Sequence, residues 1–486
     1  MDRIDTYNRK YSLAGYLLLL VLLLPPFALL IFNGYRDIPA IVTDIAFLKQ
    51  TGISLAIGAA CTLASLILAF PGIAIYSKCG KGTRNLLRVF FSFAFCFPPV
   101  LMGICFDNLF GKGGYIIEIN MAGLIRTCAI SLMLNIPLII TMVGEHGRRL
   151  DNRCEENART LGASRIRIFF SITLTKIRPA LFGTCALVLL RNWLLSENAI
   201  ISTVISLLIL VVLVTSEKRI SRVEMPADSK KPKRKANVFV IFLSFIYIVA
   251  VLTMSIIPAL SMILRSVLIE GSISFGIYKT MFSVLNLDWL VALAFCLALA
   301  VASSLIASFI AVHISIGIAS SGSSTFIAMI PFAMKSMPLA LGFMGLYAWL
   351  PDTVVVKMIL TLLCHILVLT SVQTMIVLPS MRALRKTCRE TSLSLGYRNG
   401  TSFRRIDLKI IAADVRSAIF TAIALSLAGY GAAETFGLNT VYAQSLRLVE
   451  KGDMTQACAM GSVVLVLCFI FFSLGIGHSR EGKRYA

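Results

Sequence analysis

The chain has 486 residues, of which 57% are hydrophobic and 14% are charged, and its mean hydropathy is +0.85. The apolar residues form long runs, which excludes a soluble globular domain and indicates a polytopic membrane protein. The formal net charge is +22, but Lys and Arg cluster in particular connecting segments. That distribution is typical of the cytoplasmic loops of membrane proteins, not of a nucleic-acid-binding surface.

The apolar runs predict the membrane-spanning helices, since a helix needs about 20 apolar residues to cross the hydrocarbon core. The runs lie at 13–32, 54–76, 88–106, 124–143, 180–195, 199–214, 238–264, 289–318, 324–350, 353–379, 416–433 and 457–477. The sequence therefore predicts an all-α polytopic membrane protein with about twelve transmembrane helices. The two runs between 180 and 214 are the shortest, and the span count depends most on them.

The basic residues predict the orientation of the chain. With the N-terminus in the cytoplasm, the cytoplasmic side receives the basic segments 76–88, 155–174, 217–236 and 479–486. The segments assigned to the outside carry few Lys or Arg, and they are 33–53, 107–123, 265–288 and 436–456. One orientation thus satisfies the rule that positive charge stays inside. It places both termini in the cytoplasm.

The polar segment "ENARTLGASRIRIFFSITL" at 156–174 has a counterpart, "ETSLSLGYRNGTSFRRIDL" at 390–408, in the second half of the chain. Seven identities share one register: Glu156/Glu390, Leu161/Leu395, Gly162/Gly396, Phe169/Phe403, Ile172/Ile406, Leu174/Leu408 and Ile177/Ile411. A second match is a P-x-x-x-G pattern, which recurs at Pro99/Gly103 and Pro338/Gly342. The matches predict two parallel repeats related by an axis along the membrane normal. The predicted division is a first repeat at 1–215, a basic cytoplasmic linker at 216–237 and a second repeat at 238–486.

The sequence shows no pattern of residues that is typical of a catalytic, metal-binding or nucleotide-binding site. The twelve Cys lack a C-x-x-C pair, the four His lack a metal-ligand spacing, and Gly80 to Thr83 lacks the frame of a phosphate-binding loop. The sequence therefore predicts no catalytic residue, no metal, no cofactor and no ATP site in this chain. Each copy instead predicts a short helix ended by a Gly, followed by apolar residues that hold it against the membrane domain. A rigid pair of such helices is a docking surface.

These residues resemble the permease subunits of bacterial ABC importers, whose cytoplasmic loop carries E-A-A-x-x-x-G followed nine residues later by I-x-L-P. The matching positions are Glu156, Ala158, Gly162, Ile172 and Leu174 in the first copy and Glu390, Gly396, Ile406 and Leu408 in the second. Thr175 and Lys409 depart from the Pro of the motif, and Ser392 departs from its Ala. The resemblance implies coupling helices that contact two copies of an ATP-binding subunit. It also implies a periplasmic or lipid-anchored substrate-binding protein and a place in the bacterial inner membrane.

A fused chain of two repeats is similar to the permeases of thiamine and ferric-iron importers. The segment 424–459 looks more like the final outer loop of the thiamine permeases, although Gly429-Tyr430 stands where that family has an acidic residue after Gly. The resemblance therefore implies import of thiamine, with ferric iron as the alternative. An ion-coupled secondary transporter is the alternative of another class, because it also has twelve spans in parallel halves.

The candidate residues of the translocation path are Pro99, Gly103, Lys335, Pro338, Gly342 and Glu434. The prolines and glycines either line the path or only kink their helices. Lys335 lies near the middle of the run 324–350, where a charge is costly and marks a functional candidate, but its side chain also has the length to reach the cytoplasmic interface. Glu434 would meet a cation or lie among lipid headgroups. A positive charge in the path would oppose a cation such as thiamine.

Overall fold

The computed structural model describes residues 2–34, 39, 43–111, 114–115, 123–149, 153–192, 199–222, 238–269, 272–283, 287–321, 325–334, 336–394, 396, 408–429 and 431–478. Almost all of them are helical. Before the predicted linker the helices are α1 Asp2–Gly34, α2 Ile45–Lys78, α3 Lys81–Cys96, α4 Pro99–Phe110, α5 Gly123–Arg149, α6 Arg153–Thr160, α7 Arg165–Ile168, α8 Leu174–Asn192 and α9 Ala199–Arg222. A π-helical turn, Phe169–Thr173, joins α7 to α8.

After the linker a small hairpin, β1 Leu268–Ile269 and β2 Ser272–Ile273, interrupts the helices and pairs Leu268 with Ile273. The helices are α10 Val238–Val267, α11 Gly276–Met281, α12 Leu287–Ser321, α13 Phe326–Met334, α14 Ser336–Tyr347, α15 Val354–Ser394, α16 Leu408–Ala428, α17 Gly431–Thr435, α18 Val441–Glu450 and α19 Met454–His478. The prediction of an all-α polytopic membrane protein is confirmed.

The predicted count of twelve spans is not exact. Among the described residues, eight helices are long and apolar enough to cross a membrane, and the count reaches 11 when each of three bent helix pairs forms one span. The remaining prediction, 199–214, falls on a shorter apolar helix, Ile201–Ser216. At the rise of an α-helix this segment measures about 24 Å, which is less than the thickness of a typical hydrocarbon core.

Three predicted spans are not single straight helices. The run 88–106 is divided between α3 and α4, and the helix direction bends by 107° between them. Phe97 and Pro98 are extended there, because the ring of a proline clashes with a helical conformation of the residue before it. The run 324–350 is divided between α13 and α14, and the helix direction bends by 88° between them. The run 416–433 ends earlier than predicted, since α16 stops at Ala428 and Gly429 is not helical.

The two sequence halves interlock through their first helices. Helix α1 packs against α12 and α14 of the second half, and α10 packs against α4 and α5 of the first. One hydrophobic core contains residues from both halves, including Phe93 of α3, whose ring centroid lies 5.1 Å from that of Phe469 in α19. Each half therefore buries apolar surface against the other, and the described helices share their cores across the predicted linker.

Candidate coupling loops and translocation path

The first polar segment forms a helix with a defined end. The Gly162 N–H donates to the Arg159 carbonyl at 3.0 Å and the Ala163 N–H donates to the Ala158 carbonyl at 3.0 Å, which is the Schellman pattern of a helix C-terminus. Gly162 has a φ of 81°, in the left-handed region where side chains are strained. Helix α6 ends at Thr160, and Gly162 forms the turn that follows because glycine adopts the required backbone conformation without penalty.

Contacts behind Gly162 tie α6 to the membrane domain. The Thr173 hydroxyl of the π-helical turn donates to Glu155 Oε1 at 2.7 Å. Ile168 and Ile177 are buried, and the ring of Phe169 packs edge-on against Phe70 of α2 at 5.6 Å. Ile172 and Leu174 are partly buried. The apolar residues that follow the glycine thus hold the segment on the body of the protein.

The tip of this loop is open to a partner. Leu161 is 87% exposed, and a Cβ added to Gly162 would meet no atom within 4 Å. Ala158 is partly buried on the same short helix. Glu156 lies in α6, but its side chain is outside the described part of the structure. Leu161 and Gly162 therefore lie at the surface, where the predicted docking role of this segment places its contact.

The second polar segment differs in form. Gly396 is exposed and has a φ of 79°, close to the value at Gly162, and a Cβ there would also meet no atom within 4 Å. No separate short helix precedes it among the described residues, because α15 continues to Ser394 and contains Glu390. The side chain of Glu390 and the whole of Ile406 lie outside the described residues. Leu408 opens α16 and is exposed.

We expect both loops to face the cytoplasm. Single cysteines at Asn157 and Ser394, introduced after the accessible native cysteines have been blocked, should react with a membrane-impermeant maleimide only in inside-out vesicles or opened cells. The reason is that the basic segments all fall on one side in the predicted orientation. Labelling of either cysteine in intact cells would contradict the predicted topology.

The predicted path residues lie around the two helix breaks. Pro99 opens α4, and Gly103 lies on its second turn. Pro338 and Gly342 are buried in α14. Lys335 is outside the described residues, which end at Met334 in α13 and resume at Ser336 in α14.

Glu434 lies just beyond the predicted run 416–433. It belongs to the short helix α17, after the end of α16 at Ala428, and its side chain is exposed. Helix α17 packs against α14, where a Cβ added to Gly431 would lie 3.2 Å from Ser336 Oγ. The structure therefore brings the helix of Glu434 beside the helix of Pro338, whereas no described contact joins Glu434 to Pro99 or Gly103.

An ion pair that the sequence did not single out fixes the other broken helix. Arg126 Nη2 of α5 lies 2.6 Å from Asp107 Oδ2 of α4, and it also donates to the Gly103 carbonyl at 3.4 Å. Both side chains are partly exposed, which limits the contribution of the pair to stability. The pair connects α4, just after the break, to the following span.

Each half contains a polar cluster that joins three of its own helices, and the two clusters lie on helices at corresponding places in the helix order. Asn135 Nδ2 donates to Asn192 Oδ1 at 2.7 Å, and Asn192 Nδ2 donates to Thr62 Oγ1 at 3.2 Å, which links α5, α8 and α2. In the second half His365 Nδ1 lies 2.7 Å from Ser426 Oγ, which lies 3.4 Å from Ser303 Oγ, and these residues link α15, α16 and α12. Sequence analysis missed both clusters.

A signal for these clusters was present in the repeat register. The register that aligns Gly162 with Gly396 also aligns Asn192 with Ser426. Each of the latter two is a polar residue inside a predicted span, 180–195 or 416–433. The repeat was identified from identical residues, however, and this pair was overlooked because Asn and Ser share only their capacity for hydrogen bonding.

Arg191 is a charged residue inside the predicted span 180–195, and the sequence did not single it out as a candidate. It lies in the last turn of α8. Its Nη1 atom is fully buried and has no hydrogen-bond partner among the residues that the structure describes. Arg191 is partly buried as a whole, and its Nη1 atom is a shielded donor without a partner in the described part of the chain.

Comparison with known proteins gives one relative. A segment of 178 residues, 36% of this chain, is 28% identical to the molybdate/tungstate transport system permease protein of Pyrococcus furiosus and covers 68% of it. The chain is similar to a transport permease. With its apolar helices, this similarity supports a transmembrane permease of the ABC transporter type. No family model and no solved structure matches the chain.

Proposed function

We propose that this chain is the permease subunit of an ATP-driven ABC importer, with coupling loops centred on Gly162 and Gly396. The observation that carries the proposal is that these two glycines share the repeat register and have left-handed φ values of 81° and 79°. Both are exposed, with open space around their Cα atoms. Two rigid turns of the same backbone conformation suit two copies of one partner subunit.

In this proposal the chain consists of a first repeat at 1–215 and a second repeat at 238–486, joined by a cytoplasmic linker at 216–237. Both halves contain a bent pair of helices, α3 with α4 and α13 with α14, in the same place in the helix order. The relative offers further support, because the matched segment is 36% of this chain but 68% of the relative. The relative is therefore only a little longer than half of this chain, as a permease of one repeat would be.

Transport follows an alternating-access mechanism. Two copies of a separate ATP-binding subunit bind the coupling loops, and their closure on ATP moves the loops together and opens a cavity between the halves to the outside. A substrate-binding protein delivers its ligand there, and hydrolysis returns the cavity to the inside. The permease supplies differential contacts in the two states and no bond-making residue. The shared cores of the two halves suit the transmission of such a movement.

The substrate has two candidates that rest on different observations. The segment 424–459 resembles the thiamine permeases, and it covers the end of α16, α17, α18 and the start of α19. The relative from Pyrococcus furiosus, in contrast, is a molybdate/tungstate permease protein. Thiamine is a cation, whereas molybdate and tungstate are oxyanions, so the two candidates require opposite electrostatics in the path. Ferric iron remains the further alternative within the importer class.

Uptake by a deletion strain tests the function and separates the candidates. Loss of the chain should abolish the accumulation of one class of solute, measured as labelled thiamine and, by elemental mass spectrometry, as molybdenum, tungsten and iron. The intact chain should restore it. Loss of thiamine uptake alone would support the thiamine assignment, and loss of molybdenum or tungsten uptake alone would support an oxyanion. Loss of iron uptake alone would support the iron alternative.

The energy source separates the importer from an ion-coupled transporter. Right-side-out vesicles that contain the whole complex should take up substrate when they are loaded with ATP. They should not do so when loaded with a non-hydrolysable analogue, and a protonophore should have little effect. Uptake that a protonophore abolishes and that needs no ATP would overturn the importer proposal.

A further inference from the structure

Arg191 lies near the middle of the membrane-spanning region. Its neighbour Asn192 accepts a hydrogen bond from Asn135, which lies close to the midpoint of α5, the helix Gly123–Arg149. At the rise of an α-helix, Asn135 is about 18 Å from one end of that helix and about 21 Å from the other. Asn192 also donates to Thr62, in the middle of α2.

The charge of Arg191 has no counter-charge in the described part of the chain. No described carboxylate lies within ion-pair distance of its guanidinium, and its buried Nη1 has no hydrogen-bond partner there. A cation at this depth costs about 2.5 to 3.5 kcal/mol on insertion scales. A neutral side chain at this position would avoid that cost, so the charge of Arg191 does not serve stability unless a ligand or partner offsets it.

Arg191 offers an unpaired hydrogen-bond donor next in sequence to the polar cluster of α5 and α8. Asn192 follows Arg191 on α8 and is hydrogen-bonded to Asn135 of α5. A guanidinium presents a planar set of donors that matches the oxygen edge of an oxyanion. A cationic ligand such as thiamine would be repelled at this point of the path.

We propose that the Arg191 guanidinium binds a small oxyanion of the molybdate or tungstate type during its passage between the two halves. The inference rests on the proposed permease function and deepens it by naming the substrate class. It favours the oxyanion over thiamine, and it gives the unpaired donor Nη1 a ligand. The charge of the ligand then offsets the cost of burying Arg191.

Tungstate binding to the purified full-length chain tests the proposal, with equilibrium dialysis and elemental analysis as the measurement. We expect the intact chain to bind tungstate, excess molybdate to compete, and thiamine not to compete. Arg191→Gln should weaken binding by about tenfold or more, and Arg191→Lys should keep part of the affinity because it keeps the charge. Arg178→Gln is the matched control, since Arg178 is an exposed arginine on the same helix, placed over the ring of Phe182.

Three results would overturn the proposal: no tungstate binding by the intact chain, equal binding by Arg191→Gln, or competition by thiamine. Glu197, outside the described residues, provides a further control. If Arg191→Gln reduces the folded yield and the double variant with Glu197→Gln restores it, Arg191 is the partner of a structural ion pair and the proposal is wrong. Chain-dependent thiamine uptake without tungstate binding would remove the inference and leave the permease function standing.

Discussion

Replacement of Gly162 and Gly396 together by valine is expected to abolish substrate uptake and the co-purification of the ATP-binding subunit, while the chain remains in the membrane. Both positions have φ near 80°, and a β-branched residue held there costs about 1 to 3 kcal/mol of backbone strain. The turn would therefore change shape and displace Leu161. Loss of a contact that carries much of the docking energy costs about 2 kcal/mol or more.

The surroundings of the two glycines sharpen this prediction. A Cβ at either position would meet no atom of this chain within 4 Å, so the damage does not come from a clash inside the permease. Asparagine tolerates the left-handed conformation, so Gly162→Asn should retain more uptake than Gly162→Val. Of the single valine variants, Gly162→Val should be the more harmful, since the first copy matches the coupling motif better.

Gly80→Val is the matched control for position and size. Gly80 is exposed between α2 and α3, has an ordinary φ of −62°, and a Cβ there would also meet no atom within 4 Å. Its replacement should leave uptake and co-purification close to normal. If the double Gly162→Val, Gly396→Val variant transports normally and binds the ATP-binding subunit normally, these loops do not couple ATP hydrolysis to transport.

Gly342→Ala is expected to destabilise the membrane domain strongly, whereas Gly103→Ala, its counterpart in the repeat, is expected to be tolerated. A Cβ on Gly342 would lie 2.2 Å from the Pro26 carbonyl oxygen of α1, which is backbone that cannot rotate away. A Cβ on Gly103 would meet only Arg126 Nη2, at 3.5 Å. Overpacking of this kind costs about 3 kcal/mol, but Gly to Ala inside a helix otherwise gains up to about 1 kcal/mol.

The measurement is the apparent melting temperature of each purified variant in detergent, together with the yield of monodisperse protein. Gly342→Ala should lower both, because α1 must move away from α14. Gly103→Ala should match the intact chain or exceed it slightly. Equal stability of the two variants would show that α1 does not approach α14 as closely as the structure describes.

The broad architecture could be predicted from the sequence because it depends on local properties. The length of an apolar run decides whether a helix can span the bilayer, and the assignments of 54–76 to α2 and of 457–477 to α19 needed no knowledge of neighbours. The break after Cys96 also had a local cause in Pro98 and Pro99, although the sequence analysis assigned one continuous span there. The direction of the bend depended on packing.

The coupling loops were predictable in part. The repeat register located Gly162 and Gly396, and glycine in both copies indicated a turn that side chains disfavour. The shape of the two loops was not predictable, since α6 is a separate short helix while α15 continues to Ser394. The two copies share the position and conformation of the glycine, and they differ in the helix that leads to it.

The sequence by itself determined that the chain is an all-α membrane protein, and it located two related polar segments and their glycines. Only the tertiary structure decided that Gly342 touches α1 while Gly103 does not, and that Asn192 meets Asn135 and Thr62. The reason is physical. Helix formation in a membrane follows from each segment's own composition, whereas contacts between helices depend on which segments become neighbours, and a run of apolar residues does not encode its partner.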